Sequence, residues 1–317
     1  MSDPSSAAIA LRRLGDRLAS TTGLEAVIDT SLESIDDLLG HRSSLLLVYQ
    51  SELDRLVTLA SRGYDSGGAG SEVALGEGVI GMAAARQRSM RIGNLQRMLS
   101  YARTVQREAT GDSVGGREIR LPGLPDAGSQ MAAPLIAGGV LLGVLAVESR
   151  AELAYDEQDE NVFAVAAHLV ASALEREQLT SGDALPPDAP VAEPTPPSMP
   201  STPSTPSAPE PVVIRHYAVD GSTFLDDDYV IKGVAGRLLW KVIFDYSSTG
   251  RTAFTNREVK LDPVLGLPPY RDNFESRLVL LKRRLDERGA PLRILSTGRG
   301  RFELLLSSPV VLHHIEA

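Results

Sequence analysis

Arg277, Arg283 and Arg284 fall within one short stretch of the chain, and Arg299 and Arg301 flank a glycine in Gly298-Arg299-Gly300-Arg301. A guanidinium is a permanent cation with a planar fork of N–H donors. That geometry suits paired hydrogen bonds to phosphate oxygens or to the outer edge of guanine. Neighbouring glycines let the backbone approach a phosphate, because no Cβ stands in the way. Arg271, Asn273 and Ser276 lie just upstream and add further polar groups. The chemistry on offer is recognition of a polyanion. The competing reading of such a charge run is an ordinary solvated face.

Groups able to make or break bonds are missing or poorly placed. The chain has no Cys, which removes disulfides, thiolate zinc sites, a Cys nucleophile and a thioether-linked chromophore. His41 and His168 are the candidates for an axial haem ligand. His168 sits among apolar residues, where a hydrogen-bonded structural histidine is the simpler reading. Asp226-Asp227-Asp228 cannot converge on one ion, since alternate side chains point apart, and reads as a solvated turn. Gly76-Glu77-Gly78-Val79-Ile80-Gly81 fits G-x-G-x-x-G, but Gln96 and Arg97 stand where a dinucleotide site needs an acid, about 20 residues on. No parallel-sheet alternation follows it, so these glycines read as a tight turn into a helix. No Ser-His-Asp constellation, metal-ligand spacing or Walker loop is found. No catalytic residue and no metal are expected, and an enzyme in the first half of the chain is the weakest reading.

The elements that must position the arginines come in two unlike halves. Between Leu185 and Pro211 the chain is almost entirely Pro, Ser, Thr, Ala and Glu, and holds 11 of its 20 prolines. Such a stretch has too little apolar surface to offset the entropy of folding, and its prolines favour extended segments. It reads as a disordered linker over 181–212, separating a domain at 1–180 from one at 213–317. Residues 211–317 carry 16 Lys+Arg against 13 Asp+Glu, a net charge of +3, whereas 1–210 carry 16 against 28, a net of −12. The sign asymmetry suggests an anionic partner for the second half. The amino terminus lacks a basic segment followed by an apolar core, so it does not read as a secretory signal. The apolar stretch 131–147 is broken by Pro134 and Gly138-Gly139, and no membrane span is expected. A cytoplasmic location is the default.

In the first half, 8–20 and 22–39 have helical periodicity, with Leu11, Leu14 and Leu18 on one face of the first. Ser44–Gln50 and Arg55–Arg62 read as a strand pair, 71–75 and 90–92 as short strands, and 79–87 as a helix between them. Residues 95–128 are polar and weakly patterned, which suits a lid or binding loop, or disorder. Gln130–Ala137 and Val140–Glu148 read as strands joined by the two-residue turn Gly138-Gly139. Asp156 caps a helix to about 178. SLLLVYQ…RLVTLASRGY, LGEGVIGMAAARQRSMRIGN, MAAPLIAGGVLLGVLAVESR and FAVAAHLVASALERE, in that order, resemble a GAF domain over about 7–178. The resemblance implies an α+β fold, an antiparallel sheet with helices on one side. It also implies sensing of a small ligand, dimerisation, or both. A non-covalent small ligand is the cofactor expected, its identity unknown. The cyclic-nucleotide signature of some GAF domains has no match here, and the domain could serve purely as a dimer platform.

In the second half, 212–218 and 223–230 read as strands about the turn Asp220-Gly221, and 235–246 as a helix. Thr255-Asn256-Arg257-Glu258 is a capping box, and Asp272-Asn273-Phe274-Glu275 has the same pattern with Asp as cap. The helix it opens runs to Arg288, with Phe274, Leu278, Leu281 and Leu285 as its core stripe. Arg277, Arg283 and Arg284 lie off that stripe, with Lys282 and Arg288 at its flanks. Residues 292–295 and 301–306 form a hairpin around Ser296–Gly300. The stretch 213–307, above all ESRLVLLKRRL…TGRGRFEL, resembles the winged helix-turn-helix output domain of OmpR-type transcriptional regulators. By that resemblance 273–288 is the recognition helix and 292–306 the wing.

The two resemblances together imply a bacterial-type transcriptional regulator that binds double-stranded DNA as a homodimer, paired through the helices near 8–20 and 157–178. The residues expected at DNA are Arg271, Asn273, Ser276, Arg277, Arg283, Arg284, Arg299 and Arg301. Of these, Arg277, Arg283 and Arg284 are expected at the major groove, and Arg271, Arg299 and Arg301 at phosphates or the minor groove. Two features depart from that family: Val279 and Leu280 face outward on the helix, where they could contact thymine methyls or a protein, and the phosphoacceptor domain is replaced. A protein-binding winged helix is therefore the first rival.

Overall fold

The computed structural model describes residues 4–95, 119–182, 211–267 and 274–316. Residues 183–210 of the linker expected over 181–212, residues 96–118 of the 95–128 loop, and Arg271, Asp272 and Asn273 lie outside these residues.

The amino-terminal half opens with α1 (Pro4–Ser20) and α2 (Leu24–Leu39). α2 stops at Gly40, whose left-handed backbone (φ +76) lets its N–H reach the Asp36 carbonyl. The sheet strands are β1 (Ser43–Gln50), β2 (Arg55–Arg62), β3 (Glu72–Ala74), β4 (Met90–Ile92), β5 (Ser129–Ala137) and β6 (Val140–Ser149). They pair antiparallel in the order β3-β2-β1-β6-β5-β4. Gly138 and Gly139 both have positive φ, +55 and +76, as the tight β5–β6 turn requires.

Strand alternation then builds two cores. Leu46, Val48, Leu59, Met131, Leu145 and Val147 face α2 and the long helix α4 (Glu157–Gly182), and α1 packs over both helices. Leu45, Leu47, Leu56, Ala132, Val144 and Ala146 face the other way and meet Val79, Ile80, Ala83 and Ala84 of α3 (Gly78–Arg86). The expected one-sided layer of helices is thus corrected: the strands are apolar on both faces, and both are covered.

The carboxyl-terminal half starts with β7 (Val212–Tyr217), β8 (Ser222–Leu225) and β9 (Asp228–Ile231). The single strand expected over 223–230 is broken at Asp226, whose φ of +53 turns the chain. Next come α5 (Gly233–Thr249), β10 (Ala253–Thr255), α6 (Asn256–Lys260), a 3-10 turn at Pro263–Leu265 and α7 (Phe274–Glu287). The Thr255–Glu258 capping box forms at the start of α6, as expected. The chain finishes with β11 (Leu292–Gly298), β12 (Arg301–Leu306) and β13 (Val310–Ile315). β13, not foreseen, pairs parallel to β7 in a sheet ordered β13-β7-β8-β9, while β10-β12-β11 form a second, three-stranded sheet. The two halves are in contact: α7 packs on β2 and α2.

Candidate functional site

α7 carries most of the candidate residues. Phe274, Leu278, Leu281 and Leu285 are buried as the sequence stripe demands. Arg277 and Arg284 are seven residues apart and so share one face at the edge of that stripe. Arg284 is 7% exposed; its Nε donates to the Val230 carbonyl on β9 at 2.9 Å, and Nη1 lies 3.5 Å from Glu287. Burial lowers its pKa. Arg288 donates in the same way to the Tyr229 carbonyl at 2.9 Å. The expectation that Arg284 reaches a DNA groove is therefore corrected. Its proximity to the core stripe makes it a pin between α7 and β9, occluded by its own half.

The remaining candidates on α7 face the amino-terminal half. Arg277 is 3% exposed and its guanidinium meets Glu52, while burial pushes its pKa down to about 10. Lys282 pairs with Glu25, and Arg283 with Asp29 at 2.6 Å, both acids lying on α2. The acid of α7 points across the same seam: the Ala69 backbone N–H donates to the Glu287 carboxylate at 3.1 Å. Lys232, ahead of α5, adds an ion pair to Glu72 of β3 at 3.0 Å. Ser276, Val279 and Leu280 are buried, and a Cβ placed on Gly70 would sit 4.0 Å from Leu280 Cδ1. The outward apolar pair Val279 and Leu280 is thus covered within the chain, and Arg277, Ser276 and Arg283 are not open to a duplex in this arrangement. An open cleft of about 950 Å³ runs along the seam between Thr22–Asp29, the Lys282 side of α7 and the hairpin tip.

The hairpin is the exposed part of the site. β10 pairs with β12, setting Thr255 opposite Arg301, and the Asn256 N–H donates to the Gly300 carbonyl at 2.8 Å. Gly300 turns the chain with φ +66. Phe254 and Phe302 stack beneath at 5.5 Å. The hairpin is thus tied to the start of α6. Arg299 and Arg301 are exposed, and among the described residues neither has an ion-pair partner.

In the amino-terminal half the G-x-G-x-x-G run is a β3-to-α3 turn. Gly76 and Gly78 have φ of +84 and +58, and a Cβ on Gly81 would stand 2.2 Å from the Ala74 carbonyl. Backbone geometry explains all three glycines. His168 Nδ1 lies 2.7 Å from the Ala164 carbonyl of its own helix. His41 packs edge-on to Tyr155 and Phe163, and its burial lowers its pKa. Neither reads as an axial ligand. Sequence reasoning missed Glu148, at the α3 side of the sheet. It accepts from Gln130 Nε2 at 2.9 Å and from the Leu124 N–H at 2.8 Å, with Tyr64 beside it. Burial raises the Glu148 pKa against these hydrogen bonds, and raises that of Tyr64 as well. A cavity of about 400 Å³ lined by His41, Glu148, Tyr155 and Asp159 opens next to it. Among the described residues no three His, Asp or Glu side chains converge to hold a metal ion, and no helix is long and apolar enough to cross a membrane.

Residues 21–175 match the family model of the GAF domain, which supports a GAF domain over this part of the chain, consistent with ligand sensing or signalling. No curated protein matches the chain. Among solved structures, the GAF domain from an Acinetobacter phosphoenolpyruvate-protein phosphotransferase is 17% identical with a TM-score of 0.44, covering 56% of this chain and 97% of that one. The free methionine-R-sulfoxide reductase from Neisseria meningitidis, in complex with its substrate, is 18% identical with a TM-score of 0.44, covering 57% and 96%. The A. aeolicus nlh2 GAF domain in an inactive state is 19% identical with a TM-score of 0.39, covering 54% and 96%.

Proposed function

We propose that this chain is a DNA-binding transcriptional regulator, in which a GAF domain within 1–180 responds to a small ligand or partner and a winged-helix module at 213–317 reads double-stranded DNA, the two joined by a Pro-rich linker at 181–212. The observation that carries this reading is the hairpin. Two arginines without acidic partners among the described residues stand on a glycine-tipped turn, which is hydrogen-bonded to the capped helix α6, and α7 lies against the same base. A helix beside a basic hairpin matches the way winged helices meet a duplex, one element in the groove and the other on the backbone. Ile9 on α1, and Val165 and Leu179 on α4, remain exposed beside the helices expected to pair two copies. A homodimer would set two readers on neighbouring half-sites. The role proposed is binding rather than catalysis, in the cytoplasm. The 400 Å³ cavity and the Glu148 cluster are the place for the effector.

Selection of retained sequences from random duplexes, with the full chain in dilute buffer, tests the reading. An enriched sequence whose binding weakens steeply with salt is the expected result. A chain that retains no duplex at 50 mM salt overturns it.

A further inference from the structure

The face of α7 that would enter a groove is already occupied, its cations paired with acids of the amino-terminal half. Four features of α7 are matched across the seam. Arg277 meets Glu52, Lys282 meets Glu25, Arg283 meets Asp29 at 2.6 Å, and the Glu287 carboxylate takes the Ala69 N–H at 3.1 Å. Between them Val279 and Leu280, exposed on an isolated helix, are covered. Glu25 and Asp29 are four residues apart and so stand on one face of α2. This pattern is a row of anions facing a row of cations around an apolar centre, the anatomy of a specific interface.

We infer that the α2–β2 face of the GAF domain is a docking surface for α7 of the same chain, and that its carboxylates stand in for DNA phosphates, so that docking and DNA binding exclude each other. The inference rests on the DNA-binding reading. Arg277, Ser276, Arg283 and Leu280 cannot touch a base and the GAF surface at once. The hairpin stays exposed in the docked form, so a duplex can still be met weakly and without register through Arg299 and Arg301. Release of α7 then converts that encounter into sequence reading. The chain responds to whatever shifts the docked and released populations, by at most the difference in affinity an effector has for the two. The acids lie in the half of the chain with a net charge of −12 and the cations in the half with +3, so the surplus charge also favours docking.

The test uses the full chain and its Glu25→Gln, Asp29→Asn, Glu52→Gln triple variant. All three acids are partly exposed and lie outside the DNA-binding half, so the substitutions keep shape and leave the duplex contacts intact. Each pair, with its acid partly exposed, contributes about two- to five-fold, so loss of three is expected to tighten binding to the selected duplex by roughly ten- to hundred-fold. Hydrogen exchange supplies the second readout. Adding duplex should speed exchange at residues 67–71, where Ala69 loses the Glu287 acceptor, while slowing it along 274–287. Equal affinity of the two proteins, or unchanged exchange at 67–71 with duplex bound, overturns the docking inference and leaves DNA binding standing. Failure of both proteins to retain any duplex in dilute buffer overturns the DNA-binding reading and the inference with it.

Discussion

The exposed hairpin arginines give the sharpest quantitative test of the proposed DNA-binding surface. Arg299→Ala with Arg301→Ala removes two exposed cations that have no ion-pair partner among the described residues and that line the hairpin end of the seam cleft beside Gly300. Each arginine that neutralises one phosphate contributes about −0.9 to the slope of log affinity against log salt concentration. Loss of both should flatten that slope by about 1.8. Between 50 and 200 mM salt the variant would then lose about 12-fold less affinity than the parent, by the same relation. The seam between the halves is also made of ion pairs, and salt weakens them too. That contribution is common to parent and variant and cancels in the difference of slopes. Filter retention or fluorescence anisotropy of one labelled duplex across a salt series measures it, with a thermal melt to show that the fold is kept. A slope unchanged within about 0.3 refutes the assignment of these two side chains to phosphates, because two free guanidinium groups at a DNA backbone cannot be electrostatically silent.

Arg284→Ala should act on stability and leave the salt slope alone: it deletes the 2.9 Å bond to the Val230 carbonyl and strands that acceptor, at a cost of about 2 kcal/mol and several degrees in the melt of the carboxyl-terminal half. His216, 2% exposed, stacks on Trp240 at 5.1 Å and has its pKa lowered by burial, by His314 and by Arg237 to about 4. Its neutral form is favoured by folding, so its contribution is complete above the unfolded value near 6.5 and is lost as pH falls from there to about 4. The loss is on the order of 3 kcal/mol, read as a denaturation midpoint that drops over that window and flattens in His216→Gln. Glu287→Gln should raise hydrogen exchange at Ala69 roughly five-fold in the DNA-free chain, because a charged acceptor gives way to a neutral one. Unchanged exchange would mean that the 67–71 turn holds itself without α7.

Much of the fold could be read locally because its signals are local. The leucines at helical spacing on α1 and α2, the apolar runs of β1 and β6, Gly138-Gly139 between β5 and β6, and the Thr255–Glu258 capping box each act over a few residues. The strands β10 and β13 could not be read this way. β10 is three residues long and exists because Ala253–Thr255 pairs with 301–303, and β13 because Val310–Ile315 lies beside β7, nearly a hundred residues back. The candidate site divides along the same line. Arg299 and Arg301 are exposed as a turn sequence implies. Arg284 is charged, yet seven residues from Arg277 at the margin of an apolar stripe, and its fate depended on β9 offering a carbonyl. A helical wheel drawn through Arg277, Leu281, Arg284 and Arg288 would have flagged that face as half buried. Nothing local joins Glu25 to Lys282 or Asp29 to Arg283, since those partners are more than 250 positions apart.

The turn between β2 and β3 brings these two lines together. At one end Tyr64 stands beside Glu148, the buried acid of the GAF cavity region. At the other, Ala69 donates to Glu287, and Gly70 lies against Leu280 of α7. In between, Ser61 Oγ donates to the Gly67 carbonyl at 2.6 Å and the Gly70 N–H to the Thr58 carbonyl at 2.9 Å, so the turn is braced against β2. It also touches the segment before Leu124, because a Cβ on Gly68 would stand 2.5 Å from Pro122 and one on Gly70 2.9 Å from Ile119. A ligand that drew Glu148 or the 119–124 segment to itself would press on that turn, and through it on the α7 seam. Linkage makes the effect mutual: if occupation of the cavity loosens α7, then a duplex that captures α7 must change the affinity for that ligand by the same factor. Sensing and the proposed DNA reading would thus meet in one braced turn of about eight residues.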